Sequence, residues 1–192
     1  MARLIIMGPP GSGKGTQAEH IARHFNIPAI STGDLFRAHV GKQTELGIEA
    51  GKYMDNGEFV PDSITISMLR ERLAEPDANA GCLLDGYPRT VIQIGALDEM
   101  LAARREQLDA VIELTVADEE LVDRMLRRAK EQGRSDDTET VIQRRLELYR
   151  DETRPVVTAY SQRGILLTVD GSGERESITA AAIAAVEKAL AG

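Results

Sequence analysis

Cysteine, tryptophan and histidine are close to missing from this chain of 192 residues, which has one Cys, no Trp and three His. The lone thiol, Cys82, can close no internal disulfide and anchor no cysteine zinc cluster, and its place in an apolar run fits a reducing compartment. A cytoplasmic location is therefore expected. No apolar run approaches the roughly 18 residues that cross a bilayer. Met1-Ala2-Arg3 leads directly into an apolar stretch, leaving no room for a signal peptide. Lysine is also scarce: eighteen arginines stand against five lysines, within a net charge of −8. The acidic balance argues against nucleic acid or an anionic membrane as main partner and favours a monomer. Eight of the arginines lie between Arg124 and Arg154. A planar guanidinium fork suits phosphate oxygens, although a solvated, salt-bridged helix explains part of the same pattern. His20, His24 and His39 have no motif around them and read as structural or surface residues.

What is present begins with a glycine-rich turn. Gly8-Pro9-Pro10-Gly11-Ser12-Gly13-Lys14-Gly15-Thr16 follows the apolar run Leu4 to Met7 and precedes a helical pattern from Thr16 to Ala22. Strand, glycine loop and helix are the context of a P-loop. Glycine permits the positive φ that turns several N–H groups toward one anion, and the helix N-terminus adds its dipole. The Lys14 ammonium serves as a point charge for the outer phosphates of a nucleoside triphosphate. The pattern departs from G-x-x-x-x-G-K-[ST] in one place, because Gly15 follows the lysine and the hydroxyl arrives with Thr16.

The length suits one compact domain. After a helix to about Phe25, Pro28-Ala29-Ile30 forms a second strand, and Ser31 or Thr32 begins a helix. Gly41 to Pro61 carries four glycines, with Leu46, Ile48, Met54 and Phe59 spaced as on short helices, which predicts a small, weakly cored insertion. Pro61 stands at a first helical position, followed by Ile64, Met68, Leu69 and Leu73 at helical spacing. Cys82 to Asp85 is an apolar strand ending in an acid, the usual place for a carboxylate that holds hydrated magnesium, so Asp85 is the metal candidate and Thr16 the second. Asp85 as a turn former ahead of Gly86 is the competing structural reading. A helix from Thr90 to about Ala103, a strand from Ala110 to Val116, a helix from Asp118 and a polar break from Gln132 to Asp137 come next. Arg104-Arg105-Glu106 mark a solvated helix end. A long helix carries Arg144 and Arg145, and Pro155 begins or kinks a helix. Gly164 to Asp170 is the fifth strand and Ser177 to Leu190 the closing helix. Five strands alternating with helices predict an α/β fold, a three-layer P-loop sandwich around a five-stranded parallel sheet, with the ligand across the strands' carboxyl ends.

These pieces together resemble one family, the nucleoside monophosphate kinases, in the adenylate kinase branch with a short lid. The resemblance is carried by Gly8 to Thr16, Ser31-Thr32-Gly33-Asp34 with Arg37, Met54-Asp55-Asn56-Gly57, Asp85-Gly86-Tyr87-Pro88-Arg89-Thr90 with Gln93, Asp123-Arg124 with Arg128, Arg134-Ser135-Asp136-Asp137, and Arg145. It also accounts for the Gly15-Thr16 order. It implies a core of residues 1–30, 62–128 and 137–192, an AMP-binding subdomain of residues 31–61, and a short lid of residues 129–136. By the same resemblance ATP meets Gly11, Ser12, Gly13, Lys14, Gly15, Thr16, Arg124, Arg128 and Gly173. AMP meets Thr32, Gly33, Arg37, Met54, Glu58, Val60, Gly86, Arg89, Gln93, Arg134 and Arg145, with Gln93 on the adenine edge. Glu58 stands where many members carry lysine. Lys14, Arg89, Arg124, Arg128, Arg134 and Arg145 are the implied catalytic set, Mg2+ enters with ATP, and the short lid excludes a cysteine-held zinc. UMP/CMP kinases tend to carry Ala in place of Thr32 and Asn in place of Thr90 and Gln93, so this chain favours AMP.

The implied reaction moves the terminal phosphoryl of ATP to AMP, giving two ADP. The acceptor is already an anion, since a phosphate monoester has a second pKa of about 6. No general base and no covalent intermediate are expected, only charge neutralisation and alignment. Water is the rival acceptor, so closure of the insertion and lid over both nucleotides is also expected. The rival readings are a UMP/CMP kinase, a P-loop hydrolase or switch, for which no Asn-Lys-x-Asp guanine signature occurs, and a catalytically silent nucleotide-binding module, against which the arginine constellation argues.

Overall fold

A computed structural model describes residues 2–132 and 138–191. Arg134 and residues 133–136 of the expected lid lie outside the described residues. Five strands, β1 (Arg3–Met7), β2 (Ala29–Ser31), β3 (Cys82–Asp85), β4 (Ala110–Thr115) and β5 (Leu166–Asp170), form one parallel sheet in the order β2-β3-β1-β4-β5. The helices are α1 (Lys14–Phe25), α2 (Thr32–Gly41), α3 (Glu45–Met54), α4 (Asp62–Leu73), α5 (Val91–Ala103), α6 (Asp118–Gln132), α7 (Glu139–Leu148), α8 (Arg154–Gln162) and α9 (Arg175–Ala191).

Strand side chains alternate between faces, and the central strand β1 shows why both faces are covered. Ile5 and Met7 join Leu84 and Val111 in a cluster with Leu69 and Leu73 of α4, Leu97 of α5 and Val156 and Tyr160 of α8. Leu4 and Ile6 point the other way, joining Leu83 and Ile112 against Ala18 and Ile21 of α1 and Ala182 and Val186 of α9. Each such aliphatic side chain contributes about 1.5–3 kcal/mol on burial. The result is the expected three-layer α/β sandwich, with every strand's carboxyl end at one edge.

The insertion packs Phe36, Ala50 and Val60 in a small core onto Met68 of α4, with Leu35 packing against both this cluster and the α4/α5/α8 one. Ile48 stands on α3, as its spacing suggested, but is not part of this core and is 58% exposed. Phe59 lies in the loop after α3, under the Arg89 guanidinium. Helix α3 starts on Thr44, whose hydroxyl accepts from the Gly47 N–H at 3.0 Å. Gly47 allows α3 to lie against α2 because a Cβ there would fall 2.1 Å from the His39 carbonyl oxygen, a backbone atom that cannot turn aside. Gly47→Ala is therefore expected to cost about 2–3 kcal/mol through overpacking. That lowers Tm by roughly 5–10 °C in a melt followed by circular dichroism, and an unchanged Tm would refute the contact.

Two readings differ in detail, at Pro61 and at Arg104 to Glu106, whereas Pro155 opens a helical segment as expected. Pro61 is the N-cap of α4, and Asp62 is the first helical residue. Pro155 is the second residue of α8, and the turn before it, Tyr149–Thr153, is π-helical, a wider turn through which the helix resumes on the proline. Arg104 and Glu106 are not simply solvated. Glu106 pairs with Arg3 at 2.6 Å and with Arg104 at 3.1 Å, with its side chain only 17% exposed, and so ties the start of β1 to the end of α5.

Candidate active site

The loop from Gly8 to Gly13 joins β1 to α1, and φ is positive at Gly8, Gly11 and Gly13, at 148°, 86° and 88°. At Gly11 a Cβ would also meet the Leu121 carbonyl oxygen at 2.8 Å, so only glycine fits there. Gly13 caps α1 without a side-chain hydrogen bond, so the amides of the first turn remain available to an anion. Lys14 sits at this helix start, with Nζ donating weakly to the Pro9 carbonyl at 3.4 Å. Its pKa falls to about 8, chiefly because burial removes solvent, with Asp85 opposing and the charges of Arg89, Arg128 and Arg145 adding to the fall.

Asp85 ends β3 beside the loop, its Oδ2 3.5 Å from where a Gly15 Cβ would stand. Burial raises its pKa, against the pull of Lys14 and Arg89. Among the described residues Asp85 Oδ1 is buried with no hydrogen-bond partner.

The next segment places the second half of the site. Arg89 is held through its backbone and side chain together. Its N–H donates to Gln93 Oε1 at 2.7 Å, its Nε to the Gly86 carbonyl at 2.8 Å, and its carbonyl accepts from the Thr153 hydroxyl at 3.2 Å. Its guanidinium lies 5.2 Å from the Phe59 ring centre. Burial pushes the Arg89 pKa down, yet a guanidinium remains charged throughout the working range. Thr32 donates to the Gly86 carbonyl at 2.9 Å, which connects α2 to the loop after β3. Arg37 pairs with Asp34 one helical turn away and lines the cleft.

A single cleft of about 860 Å³ at the carboxyl ends of the strands takes in both halves. Gly11, Gly13, Lys14, Gly15, Thr16, Asp85, Arg124, Arg128 and Arg145 line it, as do Thr32, Gly33, Arg37, Met54, Glu58, Val60, Gly86, Arg89 and Gln93. Arg124 is steadied by Glu120, at 2.7 Å, and by the Gly171 carbonyl, at 3.0 Å. Two expected residues stand elsewhere. Ser12 is buried, with its hydroxyl unpartnered among the described residues, and Gly173 lies in the turn after β5, outside the lining.

Sequence reasoning missed Phe59, Arg127, Tyr149 and Thr153 as lining residues. Arg127 could have been found, since it adjoins Arg128 on an arginine-rich helix. Tyr149 and Thr153 carry no motif, and the π-helical turn is what aims them inward.

Comparison with known proteins decides the family. The family model described as adenylate kinase matches residues 6–165. The chain belongs to the adenylate kinase family. The adenylate kinase of Pseudarthrobacter chlorophenolicus is 58% identical over 191 residues, all of both chains. That of Nocardioides sp. is 58% identical over 178 residues, 93% of each chain. That of Bifidobacterium longum is 51% identical over 185 residues, 96% of this chain and all of its own. The α/β sandwich around a five-stranded parallel sheet agrees with the family's P-loop fold.

Proposed function

We propose that the cleft holds ATP and AMP end to end and moves the terminal phosphoryl group of ATP to AMP, reversibly, giving two ADP. The observation that carries this reading is the shared cleft, which the glycine loop with Lys14 lines together with Arg37, Arg89 and Gln93. Its volume of about 860 Å³ lies within the range of about 300–1,000 Å³ usual for small-molecule sites.

In this reading the loop amides and Lys14 take the ATP phosphates, and Arg124 and Arg128 carry charge on that side. Arg37 and Arg89 grip the AMP phosphate, and Thr32, Gly33, Met54, Val60 and Gly86 shape the nucleoside pocket. Gln93 meets the base. Arg145, whose charge acts on both Lys14 and Arg89, would meet the group in transit, where charge spreads during transfer. The AMP phosphate attacks in line as an anion, so no side chain needs to remove a proton.

Magnesium fits the acidic corner, because a buried carboxylate oxygen without a partner is suited to hold a metal-bound water. Asp85, and Thr16 across the loop, would hold the hydrated ion. When bound, it would supply positive charge that offsets that of the phosphates. Among the described residues no group of three or more His, Cys, Asp or Glu side chains could cage a metal. The remaining ligands would therefore come from phosphates and water. A zinc-held lid is not available to a chain with one cysteine. The acidic charge and single buried thiol support a cytoplasmic monomer.

Mixing the protein with ATP, AMP and magnesium and following phosphorus resonances tests the reading. ADP should appear at the joint expense of both nucleotides. Accumulation of inorganic phosphate instead would make the protein a hydrolase.

A further inference from the structure

The Gln93 carboxamide is gripped from two sides. Its Oε1 accepts from the Arg89 backbone N–H at 2.7 Å, and its Nε2 donates to Asp62 Oδ1 at 2.6 Å. An ionised carboxylate only accepts and a backbone N–H only donates. Both neighbours therefore demand the same orientation, and turning the amide over would set donor against donor and acceptor against acceptor. Asp62, the first residue of α4, is itself held by the Thr90 hydroxyl, 3.2 and 3.1 Å from its two oxygens. Thr90 in turn accepts from the Gln93 N–H at 3.3 Å. Gln93 is 2% exposed and lines the cleft, and Asp62 stands behind it.

A primary amide carries two N–H donors and two lone pairs. With one of each committed, Gln93 has one N–H and one lone pair left for a ligand. The pairing edge of adenine offers the complementary set, a ring nitrogen acceptor beside a 6-amino donor. Hypoxanthine is the same size but has a ring N–H donor beside a 6-oxo acceptor, so reading it would require the amide to turn over. We propose that Asp62 is a positioning residue that sets base specificity at the acceptor site. By fixing the Gln93 amide it admits a 6-aminopurine monophosphate and refuses a 6-oxopurine. This rests on the reading of the cleft as an AMP site.

The test compares kcat/KM for AMP and for IMP, at saturating ATP and magnesium, in the wild type, Asp62→Asn and Asp62→Ala. Releasing a charge-assisted hydrogen bond predicts an AMP-over-IMP preference about 10–100-fold lower in Asp62→Ala. The change should fall on KM for AMP, with KM for ATP within about twofold, since the base contact belongs to binding. Asn can accept or donate, tolerates either amide orientation, and should lower the preference by about fivefold or more. An unchanged preference in both variants overturns the proposal, as does a loss shared equally by the two substrates' KM values. Should Asp62→Ala not fold, the near-isosteric Asp62→Asn decides alone on the same fivefold criterion. A wild type that makes no ADP from AMP would sink the reading of the cleft. A wild type that does, with unaltered preference in the variants, would sink only the lock.

Discussion

Arg89→Ala is expected to lower kcat/KM for AMP by about a thousandfold, the scale seen when a positioned donor to a transferring group is removed. The magnitude follows from burial and charge. Arg89 sits deep in the cleft, desolvated enough to depress its pKa, and it faces Asp85 and Arg145. A guanidinium there strengthens its hold on a phosphate because little water competes. The substitution also removes the contacts to Gly86 and Phe59, so a thermal melt should accompany the rates. Arg89→Lys separates charge from shape. It keeps the positive charge, loses the fork, and should recover no more than a small fraction of the rate. Initial rates at saturating ATP measure both variants, and a value within tenfold of wild type for Arg89→Ala would take Arg89 out of the site.

Lys14→Met is expected to reduce kcat by about 100–10,000-fold, because a charge aimed at the outer phosphates is lost where charge accumulates. The same residue predicts a pH effect. In the empty protein Lys14 titrates at about 8, and bound polyphosphate favours the ammonium and raises that value. Above pH 8 the free protein therefore holds less proton than the complex, and nucleotide binding takes a proton up. The uptake should grow with pH past this value toward one proton per ATP by linkage. Calorimetry in buffers of different ionisation enthalpy measures it. KM for ATP should climb as pH rises past 8, approaching about tenfold per pH unit. Lys14→Met should abolish the dependence, and a flat profile in the wild type would show that Lys14 stays charged without ligand. The sign also bears on folding: a lysine whose pKa is lowered from 10.5 to about 8 in the folded state makes the empty protein more stable as pH rises between those values.

Local signals made most of this legible in the chain alone. Leu4 to Met7 is apolar on both strand faces, which only a sheet covered on both sides explains, and Gly8, Gly11 and Gly13 declare a loop that needs positive φ. Asp85 could be read because its position at a strand end determines where its carboxylate goes. What escaped depends on contacts distant in sequence. Thr153 reaches the Arg89 carbonyl across 64 positions, and Asp62 reaches Gln93 across 31. The π-helical turn that brings Thr153 inward leaves no mark in the pattern beyond Pro155. Glu106 read as part of a solvated helix end because its pairing with Arg3, 103 positions away, is invisible until β1 and the end of α5 share an edge.

The insertion's oily nucleus has a mechanical meaning. It closes on Met68 and Ile64 of α4, a helix whose Leu69 and Leu73 belong to the main body, Leu35 packs against both clusters, and a Cβ at Gly57 would meet Val141 of α7 at 3.0 Å. A swing of α2 and α3 would then slide Phe36 and Ala50 across Met68, so α4 is the floor on which the insertion moves.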